Sequence, residues 1–147
     1  TGFEDISNFA GGYFVDAWIG RGVAGCDFDN DGDTDIAVSH IDRPVSLLRN
    51  DTINSPRSLR VDLQRLDRVP VPGARVQVTS AKEQSEQSVS AGGSYLSTND
   101  PALVFPLDAE TADIEVTWPD GRVDRHAAIP AGLSCVFLPG RWYAVPR

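Results

Sequence analysis

The residues best placed to do chemistry are five aspartates on alternating positions, Asp27, Asp29, Asp31, Asp33 and Asp35, with Gly32 set among them. Like charges a few Å apart repel, so this spacing is costly unless a cation lies between the carboxylates. A hard cation with oxygen ligands meets that need. Calcium takes about six to eight oxygens at roughly 2.3–2.6 Å, and short aspartate side chains on a tightly turning loop can supply them. The pattern predicts one Ca2+ ion held by side-chain oxygens of Asp27, Asp29, Asp31 and Asp35, with the backbone carbonyl of Asp33 as a further ligand. Asp35 is the candidate for two-oxygen coordination, and water completes the shell. In that scheme the Asp33 side chain points outward and adds only field. Gly32 permits the backbone turn that folds the loop.

The residues flanking the aspartates exclude the related helical loops. An EF-hand needs a glutamate at its twelfth loop position, where this chain has Val38, and a dockerin-like loop also wants an acid there. Both need helical flanks, whereas residues 23–28 and 36–38 read as strands. Magnesium is disfavoured because it keeps its waters and rarely uses an all-protein cage.

Four further residues are candidates for a ligand or partner contact: Tyr95, Asn99, Asp100 and Trp118. Tyr95, Asn99 and Asp100 lie on a polar loop that suits a sugar or a partner's backbone. The competing and favoured expectation is a structural crossing in which Asn99 and Asp100 satisfy backbone amides. Trp118 precedes Pro119, Asp120 and Gly121, so hairpin packing outweighs a ligand platform; Trp18 and Trp142 read the same way.

Catalytic constellations are missing from the sequence. His40 and His126 have no neighbour suggesting a nucleophile, no Gly-x-Ser-x-Gly elbow occurs, and no carboxylate spacing singles out a glycosidase pair. The chain is therefore expected not to be an enzyme. Cys26 and Cys135 match no zinc spacing. Two buried thiols are favoured over a disulfide. Asn50, Asp51 and Thr52 form a glycosylation sequon, relevant in a eukaryotic source.

The elements that must position these groups read as strands. Residues 59–63, 74–78, 84–90, 114–118, 122–126, 135–138 and 142–145 show alternation or β-rich runs, with residues 45–48 after a turn at Arg43 and Pro44. The turn Pro119-Asp-Gly121 makes 114–126 the clearest hairpin. One short helical turn is expected near residues 6–10. The ten prolines and thirteen glycines fall mainly between the runs, as turns demand. The polar segment 50–56 is the best internal boundary, giving units 1–56 and 57–147. The fold class expected is all-β: a small antiparallel β-sandwich preceded by a calcium-binding hairpin.

Composition narrows the partners. A net charge of −8, from 21 acidic and 13 basic residues, repels nucleic acid and anionic lipid. No apolar run approaches the roughly 18 residues of a membrane-spanning helix, so membrane insertion is not expected. The amino-terminal stretch is polar and does not resemble a signal peptide.

Gly25-Cys-Asp-Phe-Asp-Asn-Asp-Gly-Asp-Thr-Asp-Ile-Ala-Val38, followed by Val45-Ser-Leu-Leu-Arg-Asn50, resembles the FG-GAP or VCBS repeat of integrin-type β-propellers, whose loop holds calcium. Gly2-Phe-Glu-Asp-Ile6 is similar to the short strand that introduces such a repeat. Gly73-Ala-Arg-Val76, Ala91-Gly-Gly-Ser-Tyr-Leu-Ser97 with Asn99-Asp-Pro101, and Val116-Thr-Trp-Pro-Asp-Gly-Arg122 resemble the ASPIC/UnbV domain. Such domains lie C-terminal to these propellers in cartilage acidic protein-like proteins. A propeller needs several blades and this chain has one acidic motif, which fits the C-terminal piece of a longer protein. The resemblance implies a secreted or cell-surface setting and a non-catalytic, calcium-binding interaction or adhesion module with a protein or glycan partner. Its rivals are an accessory part of an UnbV-like biosynthetic or a carbohydrate-processing enzyme, and a glycan-binding module.

Overall fold

The computed structural model describes residues 2–51, 57–81, 83–93 and 95–146. The expected boundary and sequon fall partly on residues 52–56, outside the described residues, as does Ser94 of the polar loop. The described residues form strands and two short 3-10 turns, Ser7–Phe9 and Gly12–Val15. The first of these is the turn expected near residues 6–10.

Three strands form a small first sheet in the order β1 (Gly20–Cys26), β2 (Asp35–His40) and β3 (Ser46–Leu48), all antiparallel. Cys26 pairs with Asp35 at the end of the β1–β2 ladder, so the acidic loop is the connection between these strands. Beside this sheet Trp18 stacks on Tyr13 at 5.3 Å, donates its indole N–H to the Tyr13 carbonyl at 2.7 Å, and lies under the Arg43 guanidinium.

The remaining strands make two four-stranded sheets. One has the order β11 (Arg141–Val145), β10 (Ser134–Leu138), β4 (Arg57–Leu63) and β7 (Leu103–Leu107). The other has the order β6 (Gln84–Ser88), β5 (Arg75–Thr79), β8 (Thr111–Thr117) and β9 (Val123–Pro130). Alternation supplies the core between them. Leu59, Val61, Leu63, Phe105 and Phe137 face Val76, Val78, Ile114, Val116 and Ile129, all buried. Each such side chain contributes about 1.5–3 kcal/mol by leaving water. The all-β sandwich expected from the sequence is what forms, with one parallel pair inside it: β10 runs parallel to β4, Ser134 opposite Arg60.

Strand β7 is an addition to the elements read from sequence. Its buried residues alternate cleanly, yet Pro106 interrupts it and lacks an N–H for the ladder. The structure places β7 at the sheet edge, where proline is tolerated.

The expected hairpin is present as β8 and β9. Gly121 takes a φ of +86°, and the Trp118 N–H reaches the Arg122 carbonyl at 2.9 Å. Val136 on the opposite face of β10 is buried as well, and it shares a small cavity of about 130 Å³ with Asn30 of the acidic loop, Arg60 and Asp62. The loop thus lies over the outer face of the sandwich.

Candidate metal centre

The loop from residue 27 to 34 is bent by two left-handed residues, Asn30 at φ +61° and Gly32 at φ +100°. Gly32 is buried, and its N–H donates to Asp27 Oδ2 at 3.2 Å. Side-chain turns hold the rest: Asp31 N–H donates to Asp29 Oδ1 at 3.4 Å and Asp33 N–H to Asp31 Oδ1 at 2.9 Å. Asp35 is 0% exposed, and its two oxygens accept N–H groups from Phe28 at 3.0 Å and Asn50 at 2.8 Å. The carboxylates are therefore fixed by the backbone that carries them.

One oxygen each from Asp27, Asp29 and Asp35 lies within 4.8 Å of the others, with Asp27 and Asp35 buried. Two oxygens bound to one calcium at about 2.4 Å can be no farther apart than about 4.8 Å, so this spacing fits that ion. Asp31 and Asp33 stand outside the group; Asp31 is exposed and Asp33 half-buried. Each Asp35 oxygen already accepts one N–H, which leaves one lone-pair direction on each for a further contact. Arg49 approaches Asp29 at 3.8 Å but is turned more closely to Asp51, at 2.7 Å.

Cys26 lies beside this cluster. Burial first, then the carboxylates of Asp100 and Asp35, push its thiol above the ordinary value. The converging atoms are carboxylate oxygens of Asp27, Asp29 and Asp35, without the Cys26 sulfur, and an all-oxygen set suits a hard cation. Cys135 lies in the sandwich core on another sheet from Cys26, and the two are not bonded to each other.

The four other candidates fall in different surroundings. Asn99 Oδ1 accepts the Gly25 N–H at 2.9 Å, and Asp100 accepts from Ala102 N–H at 3.0 Å and from Arg60 at 2.6 Å. Tyr95 is 72% exposed on the same loop. Trp118 is 4% exposed in the core, with its indole N–H on Asp124 at 2.7 Å.

Arg60, which sequence reasoning passed over, is an outward residue of β4 between buried Leu59 and Val61. Its outward position was legible, but not its partner forty residues away. Arg60, Asn99 and Asp100 share with Cys26 and Asp27 a cleft of about 340 Å³ between the first sheet and the sandwich.

Residues 68–140 match the family described as ASPIC and UnbV. The folded unit is wider than that range, because β4 and β11 complete one of its sheets. Among particular proteins, the chain is 35% identical over 111 residues to cartilage acidic protein 1 of Mus musculus, which takes in 71% of this chain and 17% of that protein. It is 35% identical over 117 residues to the Homo sapiens protein of that name, covering 74% of this chain and 18% of the relative. For Xenopus tropicalis the identity is 33% over 124 residues, covering 80% and 19%. The chain spans less than a fifth of the length of these curated relatives.

Proposed function

We propose that this chain is a non-catalytic, calcium-binding interaction or adhesion module working outside the cell, as the C-terminal part of a longer β-propeller protein. The observation that carries this reading is the convergence of Asp27, Asp29 and Asp35 oxygens within 4.8 Å on a loop between two strands. Bound there, calcium supplies positive charge that offsets the carboxylate repulsion and rigidifies the hairpin. Its role is structural.

Residues 1–56 form one FG-GAP/VCBS-like repeat in this reading, and residues 57–147 the ASPIC/UnbV-like sandwich. The three-stranded first sheet supports it, since Val23, Ile36 and Leu47 are exposed there and a neighbouring blade would cover such surface. The short share of each relative that aligns supports a longer parent. Relatives named for cartilage support a secreted or cell-surface setting with a protein or glycan partner. No helix among the described residues is long and apolar enough to cross a membrane. In the cleft, Arg60 pairs with Asp100, and Asn99 is engaged with Gly25, which favours a binding module over a reacting site.

The test is calorimetric calcium titration with melting curves in calcium and in chelator. Calcium a hundredfold above its Kd stabilises the fold by about 2.7 kcal/mol. Asp29→Ala, at an exposed ligand, should abolish the calcium response while sparing the chelator-treated fold. Identical melting curves with and without calcium would sink the reading.

A further inference from the structure

The β1 edge of the first sheet is held by the sandwich. The Gly25 N–H donates to Asn99 Oδ1 at 2.9 Å, the Asp100 N–H donates to the Gly25 carbonyl at 2.9 Å, and Ser97 Oγ donates to the Val23 carbonyl at 2.6 Å. Two glycines make room for this approach. A Cβ on Gly22 would come within 3.0 Å of the Leu96 carbonyl, and one on Gly93 within 2.7 Å of Asn99 Nδ2. Arg60 anchors the loop from the sandwich side through Asp100.

The strand so gripped is the one that delivers the metal ligands. Gly25 lies two residues before Asp27, and it pairs with Ile36, the neighbour of Asp35. An ion between Asp27 and Asp35 would fix the end of this ladder from within. The loop from 97 to 100 fixes the same end from its outer edge. Each event orders backbone that the other needs ordered, so each lowers the ordering cost of the other.

We propose that calcium binding is coupled to the docking of residues 97–100 on β1, with Asn99 as the positioning residue for the metal loop. This rests on the calcium reading above. By linkage, docking raises calcium affinity by the same factor as calcium strengthens docking. The sandwich thereby acts as a sensor of whether the loop is filled.

The experiment uses the full chain, with calcium titrated by calorimetry and backbone amides followed by hydrogen exchange in calcium and in chelator. Asn99→Ala is expected to weaken calcium binding roughly two- to tenfold, the size of one lost hydrogen bond. Asn99→Asp, which keeps an acceptor, should restore affinity to within about twofold of the native chain. In the native chain, chelator should lower protection of the Gly25 and Asp100 amides. Ser97→Ala gives a second, milder break of the same contact, should Asn99→Ala fail to fold. Gln87→Ala, in the cleft but bonded to Val104, should leave affinity unchanged. Calcium affinity equal in the native, Asn99→Ala and Ser97→Ala chains, or amide protection indifferent to calcium, would overturn the coupling alone. No calcium binding by the native chain would overturn the calcium reading and the coupling together.

Discussion

Asp35 Oδ1 accepts the Asn50 N–H at 2.8 Å, so the first residue of β2 holds the chain where it leaves β3. Its other oxygen holds the Phe28 N–H at 3.0 Å on the opposite side. Asp35 is thus a structural bond as well as a candidate metal ligand. Asp35→Ala is expected to destabilise the fold even in chelator, by about 2–5 kcal/mol, because two backbone donors lose their acceptor. Chemical denaturation of Asp35→Ala and Asp29→Ala in chelator separates the roles: only the first should move the midpoint far.

Asp124, half-buried on β9, makes a comparable bond in the sandwich. The Gly140 N–H at 2.8 Å, and then the Trp118 indole N–H at 2.7 Å, hold its carboxyl below the usual range against the opposing effect of burial. A depressed carboxyl stabilises the fold above its unfolded value of about 3.9, and that stabilisation is lost as pH falls through the folded value. Asp124→Ala should cost about 0.5–1.5 kcal/mol near neutral pH, because water can replace part of the lost acceptor at this half-buried position. The gap from the native chain should close below about pH 4, which urea titrations across pH will show.

Asp62 has the opposite sign. Burial pushes its carboxyl up, outweighing the hydrogen bond from Gln64. Folding then favours the protonated form, so stability falls as pH rises from the unfolded value through the folded one, and the full cost is present above it. Asp62→Asn should raise the Tm at neutral pH, with the gain vanishing below about pH 4, where both states are protonated. A lower Tm at pH 7 would show that Asp62 has a role as an anion.

Cys26 should react slowly. Its thiol is pushed up by burial and by the carboxylates of Asp100 and Asp35, and only the thiolate attacks. Iodoacetamide at pH 8 should modify Cys26 more slowly in the native chain than after unfolding, as followed by mass spectrometry.

The sequence carried much of the fold and part of the site. Strands such as β4 and β5 were legible because their inward residues alternate, and the hairpin because its turn residues match its geometry. Edge strand β7 was hidden by Pro106, since proline speaks against a strand unless the edge position is known. The acidic loop was legible as a candidate cation site from spacing alone. That Asp27, Asp29 and Asp35 draw together while Asp31 serves the Asp33 amide depends on the left-handed turns at Asn30 and Gly32, which spacing does not reveal. The junction at Asn99 was legible only as a loop able to satisfy backbone amides. Its partner, Gly25, lies in the other half of the chain, and no local pattern records a contact that distant.

The parallel pairing of β4 with β10 sets a timetable for synthesis. Strands β5 to β9 lie between these partners, so the middle of that sheet cannot close until nearly the whole sandwich has been made. Contacts this remote are slow to form, and an unpaired strand edge invites other chains while it waits. On the ribosome the acidic hairpin emerges early, whereas the segment that grips it and the strand that seals β4 come late. A nascent chain halted before Ser134 would expose one side of β4, a recognisable mark for chaperones and proteases.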